Sequence, residues 1–233
     1  MIKNKKLIIT ASILFTLAEI YLSYMVQKGT PEMLRVHCLS CVALACIFFV
    51  LFAEKSIAYL FTQIALLFTV GADYFLVWIP VRNQFNGMLC FSVVQIAYAI
   101  RIFVDTQSKK SRIAQIVSRA VISVVACVAT FLVLGDATDK VALVSIFYYA
   151  NLILSLVFSF TQFKKNYILA IGFLCFLLCD TVIGIVNIGP YFSIPKDSVI
   201  YKIIYPGFDL AWAFYVPSQI LLALSLLPKK LKK

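Results

Sequence analysis

Eight apolar runs of about 20 residues recur along this chain, and they restrict its fold more than any other feature. They cover 7–26, 34–53, 57–79, 85–104, 115–134, 141–161, 167–187 and 208–227. A helix rises about 1.5 Å per residue, so each run is long enough to cross the ~30 Å hydrocarbon core of a bilayer. Lipid offers no hydrogen bonds, so a backbone inside it must satisfy itself, and a helix does so within one segment. Hydrophobic residues make up 63% of the chain and charged residues 13%. Soluble domains carry about 45–50% and about 25%. That contrast excludes a Rossmann enzyme, a secreted disulfide scaffold and a disordered tail. The expected fold is all-α: a single transmembrane domain over 1–233 with eight helices and short connections. The first run follows Lys3, Lys5 and Lys6 as a signal peptide would. It is long, contains Glu19 and lacks a small-x-small cleavage site, so it reads as a retained helix.

The formal net charge of +11 sits between the runs, where it speaks for topology and anionic lipid headgroups and against nucleic acid. With the N-terminus inside, fifteen cations fall on the inner side (Lys3, Lys5, Lys6, Lys55, Arg101, Lys109, Lys110, Arg112, Arg119, Lys164, Lys165, Lys229, Lys230, Lys232 and Lys233). Six fall outside (Lys28, Arg35, Arg82, Lys140, Lys196 and Lys202), so both termini are expected in the cytoplasm and the protein in the plasma membrane. Arg101, near an inner helix end, is expected to snorkel to the headgroups. The longest connection, Gly189 to Pro206, mixes Tyr191, Phe192, Tyr201 and Tyr205 with Lys196 and Lys202 and is expected on the outer surface.

The seven cysteines all lie in apolar stretches, where cysteine packs as a small hydrophobe. His37-Cys38-x-x-Cys41 has the outline of a metal or redox site, but a chain with one histidine favours packing there. No metal and no cofactor is expected.

The informative residues are the ionisable groups within spans, which cost about 2.5–3.5 kcal/mol each to insert. Glu19, Asp73 and Asp180 lie well inside, and Asp209 lies near the start of the last run. Counted from the inner helix ends, Asp73, Asp180 and Glu19 sit at about 24, 20 and 18 Å, all in the outer half of the bilayer. Their neighbours recur at helical spacing: Ser12, Thr16, Glu19, Ser23; Thr69, Asp73; Gln95, Tyr98, Arg101; Tyr148, Asn151, Ser155; Asp180, Gly184, Asn187; Asp209, Trp212, Tyr215, Gln219. Six of eight predicted helices thus carry a polar stripe. Such stripes turn inward, here onto a polar central cavity opening toward the outer half. Serines and threonines alone would be read as glue between helices. Two interior acids without an interior cation to pair with ask for a function. Asp73 and Asp180 lie on runs four apart in order, the spacing that a weak parallel repeat of 1–110 and 111–233 would give.

Two carboxyl groups side by side can divide into one protonated acid and one ionised base at neutral pH. That division suits reactions through an oxocarbenium ion, of which glycoside hydrolysis is the soluble case. Vinyl-ether hydrolysis is of the same kind. An acid protonates the alkene carbon, water aided by a base adds to the cation, and the hemiacetal collapses to aldehyde and alcohol. A zinc hydrolase would need more histidines. A serine lipase would need G-x-S-x-G, and an intramembrane aspartyl protease its glycine-x-glycine-aspartate, neither of which occurs. The competing class is an eight-helix lipid or small-solute transporter without hydrolytic activity.

At these residues the chain resembles the YhhN-like membrane family, whose characterised members are lysoplasmalogenases. LLFTVGADYFLV is similar to the family's LLFSLLGD segment, aligned on Asp73, with Ala72 where glycine is usual. Gly87, Phe91, Gln95 and Tyr98 fall at the family's offsets, with Gln95 where histidine is typical. Gly172, Phe176 and Asp180 follow, with Cys179 in place of serine, and Tyr215 and Gln219 match a tyrosine-x-x-x-glutamine pattern. The resemblance implies an ether hydrolase that cleaves a lysoplasmalogen, a lysophospholipid, to a fatty aldehyde and a glycerophospho-alcohol. It implies Asp73 and Asp180 as the acid–base pair. Gln95, Tyr215 and Gln219 would orient water or hold substrate oxygens. Glu19, Tyr98, Asn151 and Asp209 complete the expected lining. Oligomeric state is left open.

Overall fold

The computed structural model describes residues 5–28, 56–188, 192, 194–204 and 207–227. The described chain is helical throughout, as a backbone must be where no water can satisfy its amides. The helices are α1 (Lys5–Lys28), α2 (Ile57–Asp73), α3 (Gln84–Asp105), α4 (Lys109–Leu134), α5 (Lys140–Phe160), α6 (Phe163–Asn187), α7 (Val199–Ile204) and α8 (Leu210–Leu224). Six of the described helices are long and apolar enough to cross a membrane, while α8 is apolar but shorter. The expected span 34–53, together with His37, lies outside the described residues.

Local chemistry sets the ends. Asn83, Ser108, Asp139 and Asp209 each turn a side-chain oxygen onto a backbone N–H of the helix that follows, at 2.7–3.3 Å. These caps satisfy donors that the first turn leaves open. α2 does not run on as a regular helix to residue 79. Directly after Asp73 the chain widens into a π turn, Tyr74–Trp78. It ends at Ile79 in an extended conformation (φ −70°, ψ 143°), the one the following proline favours. The last expected span, 208–227, is regular only over Leu210–Leu224 and carries Pro217 inside. Ser218 Oγ donates to the Tyr215 carbonyl at 2.7 Å there. The connection before it holds the six-residue α7, whose Val199, Ile200 and Ile203 are exposed.

Packing links α2 to α3, α3 to α5, α5 to α6 and α6 to α8, and a light contact of α8 with α2 closes a ring of five helices. α4 packs on the outside of α5, and α1 packs on α8. Two glycines permit the closest approaches. A Cβ on Gly87 would stand 2.5 Å from Leu76 Cγ, so α3 lies directly against the π turn. A Cβ on Gly172 would stand 3.1 Å from Leu222, where α6 meets α8.

The solvent pattern is inverted relative to a soluble protein. Val124, Phe131, Leu132 and Val133 stand exposed on α4, while Thr62, Thr69, Gln95, Ser155, Ser218 and Gln219 are buried. Apolar surface is at no disadvantage against lipid, so polar groups are what the interior must collect.

Arg101 does not snorkel. It is 1% exposed; its Nε donates to Asp105 Oδ2 at 3.2 Å and its guanidinium lies 4.6 Å over the Tyr59 ring. Its Nη1 also donates to the Thr62 hydroxyl. With a carboxylate one turn away and a threonine on the facing helix, the guanidinium is satisfied inside and has no need of the headgroups. Lys165 lies 3.8 Å from the same Asp105, which ties the start of α6 to the end of α3.

Candidate functional site

Asp73 is the last regular residue of α2 and is 3% exposed. Its Oδ2 accepts a hydrogen bond from the Tyr215 hydroxyl of α8 at 2.5 Å, across the light α2–α8 contact. Asp180, on α6, is half-buried, and its Oδ2 accepts from the Tyr148 hydroxyl of α5. Each interior acid therefore receives a phenol from a neighbouring helix.

One aromatic cluster holds both phenols. Phe176 sits one turn from Asp180 on α6. Its ring centroid is 6.5 Å from Tyr148 and 6.4 Å from Tyr215, edge-on to both. Phe91 of α3 stacks on Tyr148 at 5.4 Å, and Trp212 meets Tyr215 edge-on at 5.1 Å. Edge-to-face rings restrict rotation of the phenols, so the hydroxyls are held in place on the acids.

The other expected residues fall into two groups. Gln95, fully buried on α3, accepts from Ser155 Oγ at 3.2 Å, and its Nε2 has no hydrogen-bond partner. Asn151, one turn along α5 from Tyr148, donates to Ser123 Oγ and the Phe147 carbonyl, both at 2.9 Å. Tyr98 is fully buried, edge-on to Phe173 at 4.9 Å. Gln219, one turn beyond Tyr215, donates to Ser218 Oγ at 3.2 Å, while its Oε1 lacks a partner. All four are buried on helices of the ring.

Glu19 lies on α1 and Asp209 at the start of α8. Glu19 is buried on α1, the helix that packs on α8. Asp209 is exposed and serves as the N-cap of α8, accepting from the Trp212 N–H at 3.2 Å. Gln27 of α1 grips the Asp209 backbone from both sides, donating to its carbonyl at 2.8 Å and accepting from its N–H at 2.9 Å. Its position at the start of an apolar helix explains the role: a short acid there is a cap before it is anything else. Among the described residues no group of three histidine, cysteine or acidic side chains converges as a metal site would require.

Two contributors were not singled out from sequence. Tyr148 stood in a visible stripe with Asn151 and Ser155, but nothing in the stripe said that it reaches Asp180. Arg119 was counted as a topology charge. Its place four residues inside the run 115–134 was the available signal that it is an interior residue.

The fold and the site together define a helical membrane-spanning protein with a pair of tyrosine-bonded carboxyls in its interior. The chain belongs to the YhhN family, whose model matches residues 33–226 and so covers every described helix except α1 and the last residue or so of the described C-terminus. No curated protein and no solved structure matches it.

Proposed function

We propose that this protein is a membrane-embedded hydrolase that cleaves the vinyl ether bond of lysoplasmalogens, with Asp73 and Asp180 as its acid–base pair. The observation that supports the reading is that the carboxyls of Asp73 on α2 and Asp180 on α6 each accept a phenol from another helix, and that both phenols pack against Phe176. The substrate class follows from the family resemblance and from the chemistry that such a pair performs.

The protonated carboxyl delivers its proton to the alkene carbon remote from the ether oxygen, leaving an oxocarbenium ion at the carbon that bears that oxygen. The ionised carboxyl takes a proton from water as the water's oxygen bonds to the cation. The hemiacetal then gives its hydroxyl proton to the first carboxyl and breaks its bond to the glycerol oxygen, which takes a proton from the second, so that both carboxyls return to their starting states. One water is consumed, and a fatty aldehyde and a glycerophospho-alcohol are released. The phenols keep the carboxyl oxygens oriented through the cycle. Phe176 and Phe91 provide an apolar wall against which an alkenyl chain can lie.

Aldehyde release from micellar choline and ethanolamine lysoplasmalogens by purified protein is the test. Asp73→Asn and Asp180→Asn keep size and hydrogen-bonding capacity but remove the proton-transfer group. Each is expected to lower turnover by about 10²–10⁴-fold, the usual worth of a positioned acid or base. The double variant is expected to be little worse than the worse single, because groups that act as a unit do not add. Near-normal aldehyde release by both folded single variants would overturn the paired-acid mechanism.

A further inference from the structure

Arg119 is an interior cation that the acid pair does not use. It lies ten residues into α4, about 15 Å from the helix start. Its Nη1 donates to the Asn151 carbonyl and to Asn151 Oδ1, both at 3.2 Å, and its Nη2 donates to Ser155 Oγ at 3.3 Å. The Phe158 ring lies 5.9 Å from the guanidinium carbon. All of these neighbours are neutral. Arg101, the other arginine deep in a described span, has Asp105 beside it; no carboxylate stands within ion-pair distance of Arg119 among the described residues.

The two residues that touch Ser155 are each left with an unused donor. Arg119 Nε is buried and has no partner. Gln95 is fully buried; its carbonyl oxygen is occupied by Ser155, and its Nε2 donor has no partner. Ser155 touches both residues, so the two unused donors belong to one neighbourhood formed by α3, α4 and α5. Asn151 spends its own donors on Ser123 and the Phe147 carbonyl. What remains around Ser155 is a positive charge and two spare N–H donors; the spare acceptor on α4, Gln115 Oε1, lies one turn back, where its amide nitrogen donates to Thr106. An uncompensated charge and unmet donors are costly in the membrane interior, and an anion with several oxygens removes both costs.

We infer that Arg119 and Gln95, braced by Asn151 and Ser155, form a binding site for a phosphate oxyanion. The guanidinium suits it, since its planar fork matches phosphate oxygens. The site lies one turn along α5 from the phenol that holds Asp180. Asn151 is three residues from Tyr148 on α5, about 4.5 Å along the axis, and Tyr148 holds Asp180. In a lysoplasmalogen only a glycerol separates the vinyl ether from the phosphate, so one molecule can present its ether to the acids and its phosphate to Arg119. The phosphate's source rests on the hydrolase reading; the anion site does not.

Binding to purified protein in neutral detergent micelles tests this without turnover. The probes are a 1-alkyl-glycerophosphoethanolamine, whose saturated ether cannot be cleaved by this chemistry, the matching 1-alkylglycerol, which lacks phosphate, and inorganic phosphate. Wild type is expected to bind the phosphate-bearing lipid more tightly than the phosphate-free one. Arg119→Gln is expected to weaken the phosphate-bearing lipid by about 10–100-fold, the worth of a charged hydrogen-bonded contact, and to leave the phosphate-free lipid unchanged. Arg119→Lys, which keeps the charge but not the fork, is expected to fall between. Arg119-dependent binding in the lipid arm supports a headgroup as the source, and in the inorganic arm alone a free phosphate. The inference is overturned if wild type binds the two lipids equally and ignores inorganic phosphate, or if Arg119→Gln binds every probe as wild type does. Aldehyde release without Arg119-dependent binding would leave the hydrolase standing and remove this site; Arg119-dependent binding without aldehyde release would do the reverse.

Discussion

Tyr215→Phe removes one oxygen atom and leaves the aromatic packing intact, which makes it the cleanest probe of the acid pair. The hydroxyl donates to Asp73 Oδ2 at 2.5 Å in a site where Asp73 is 3% exposed, so bulk water is poorly placed to replace it. A hydrogen bond is worth about 1.5–3 kcal/mol when its acceptor is ionised, as each carboxyl of an acid–base pair is for part of the cycle. At about 1.4 kcal/mol per factor of ten, losing it predicts a fall in kcat/KM of about 10- to 150-fold. The ring's contacts with Phe176 at 6.4 Å and Trp212 at 5.1 Å survive, so the unfolding midpoint in detergent should move little. The assay is aldehyde release by wild type, Tyr215→Phe, Asp73→Asn and the double variant, read as a cycle. If the phenol acts through Asp73, adding Tyr215→Phe to Asp73→Asn should cost under about threefold further. A full additive loss in the double variant, or wild-type kinetics in Tyr215→Phe, would refute the claim that this hydroxyl orients the acid.

Three further outcomes are expected. The wild-type kcat/KM should trace a bell against pH, reporting two apparent values that belong to the pair, and either aspartate-to-asparagine variant should lose that shape. Gly87→Val should lower thermal stability in detergent by about 1–3 kcal/mol, because even the first added carbon meets Leu76 at 2.5 Å and would push the π turn off α3; an unchanged midpoint would show that the turn yields freely. Single cysteines placed at Asn4 and Lys232 should resist impermeant thiol reagents in intact cells, as the fifteen-to-six distribution of cations predicts, and labelling of either from outside would reverse the topology.

Most of the helices were legible in the sequence because lipid imposes a single local rule. A chain without water must close its own hydrogen bonds, so an apolar run of about 20 residues has few alternatives to a helix, whatever packs beside it. The same rule marked Asp73, Asp180, Gln95, Asn151 and Gln219 as inward-facing, since each is expensive against lipid. The exceptions arose where neighbours overrode the local rule. The π turn after Asp73 depends on Pro80 behind it and on the space that Gly87 leaves on α3. Asp209 shared a face with Tyr215, yet its place at a helix start made it a cap.

Periodicity assigned each helix an inner face, but it could not say which faces meet. That Tyr148 serves Asp180 and Tyr215 serves Asp73 depends on α5, α6, α8 and α2 standing next to one another. Residues 142 positions apart, as Tyr215 and Asp73 are, leave no joint mark in a linear pattern. The fates of the two arginines were also decided in three dimensions. Both read as charges belonging to the membrane surface. Only the packed helices give Arg101 a threonine from α2 and a ring to lie over, and leave Arg119 among neutral partners with donors to spare. The bilayer's demand on each segment is local and can be read one residue run at a time; the partner a buried charge finds is a property of neighbouring helices, and it exists only once they have packed.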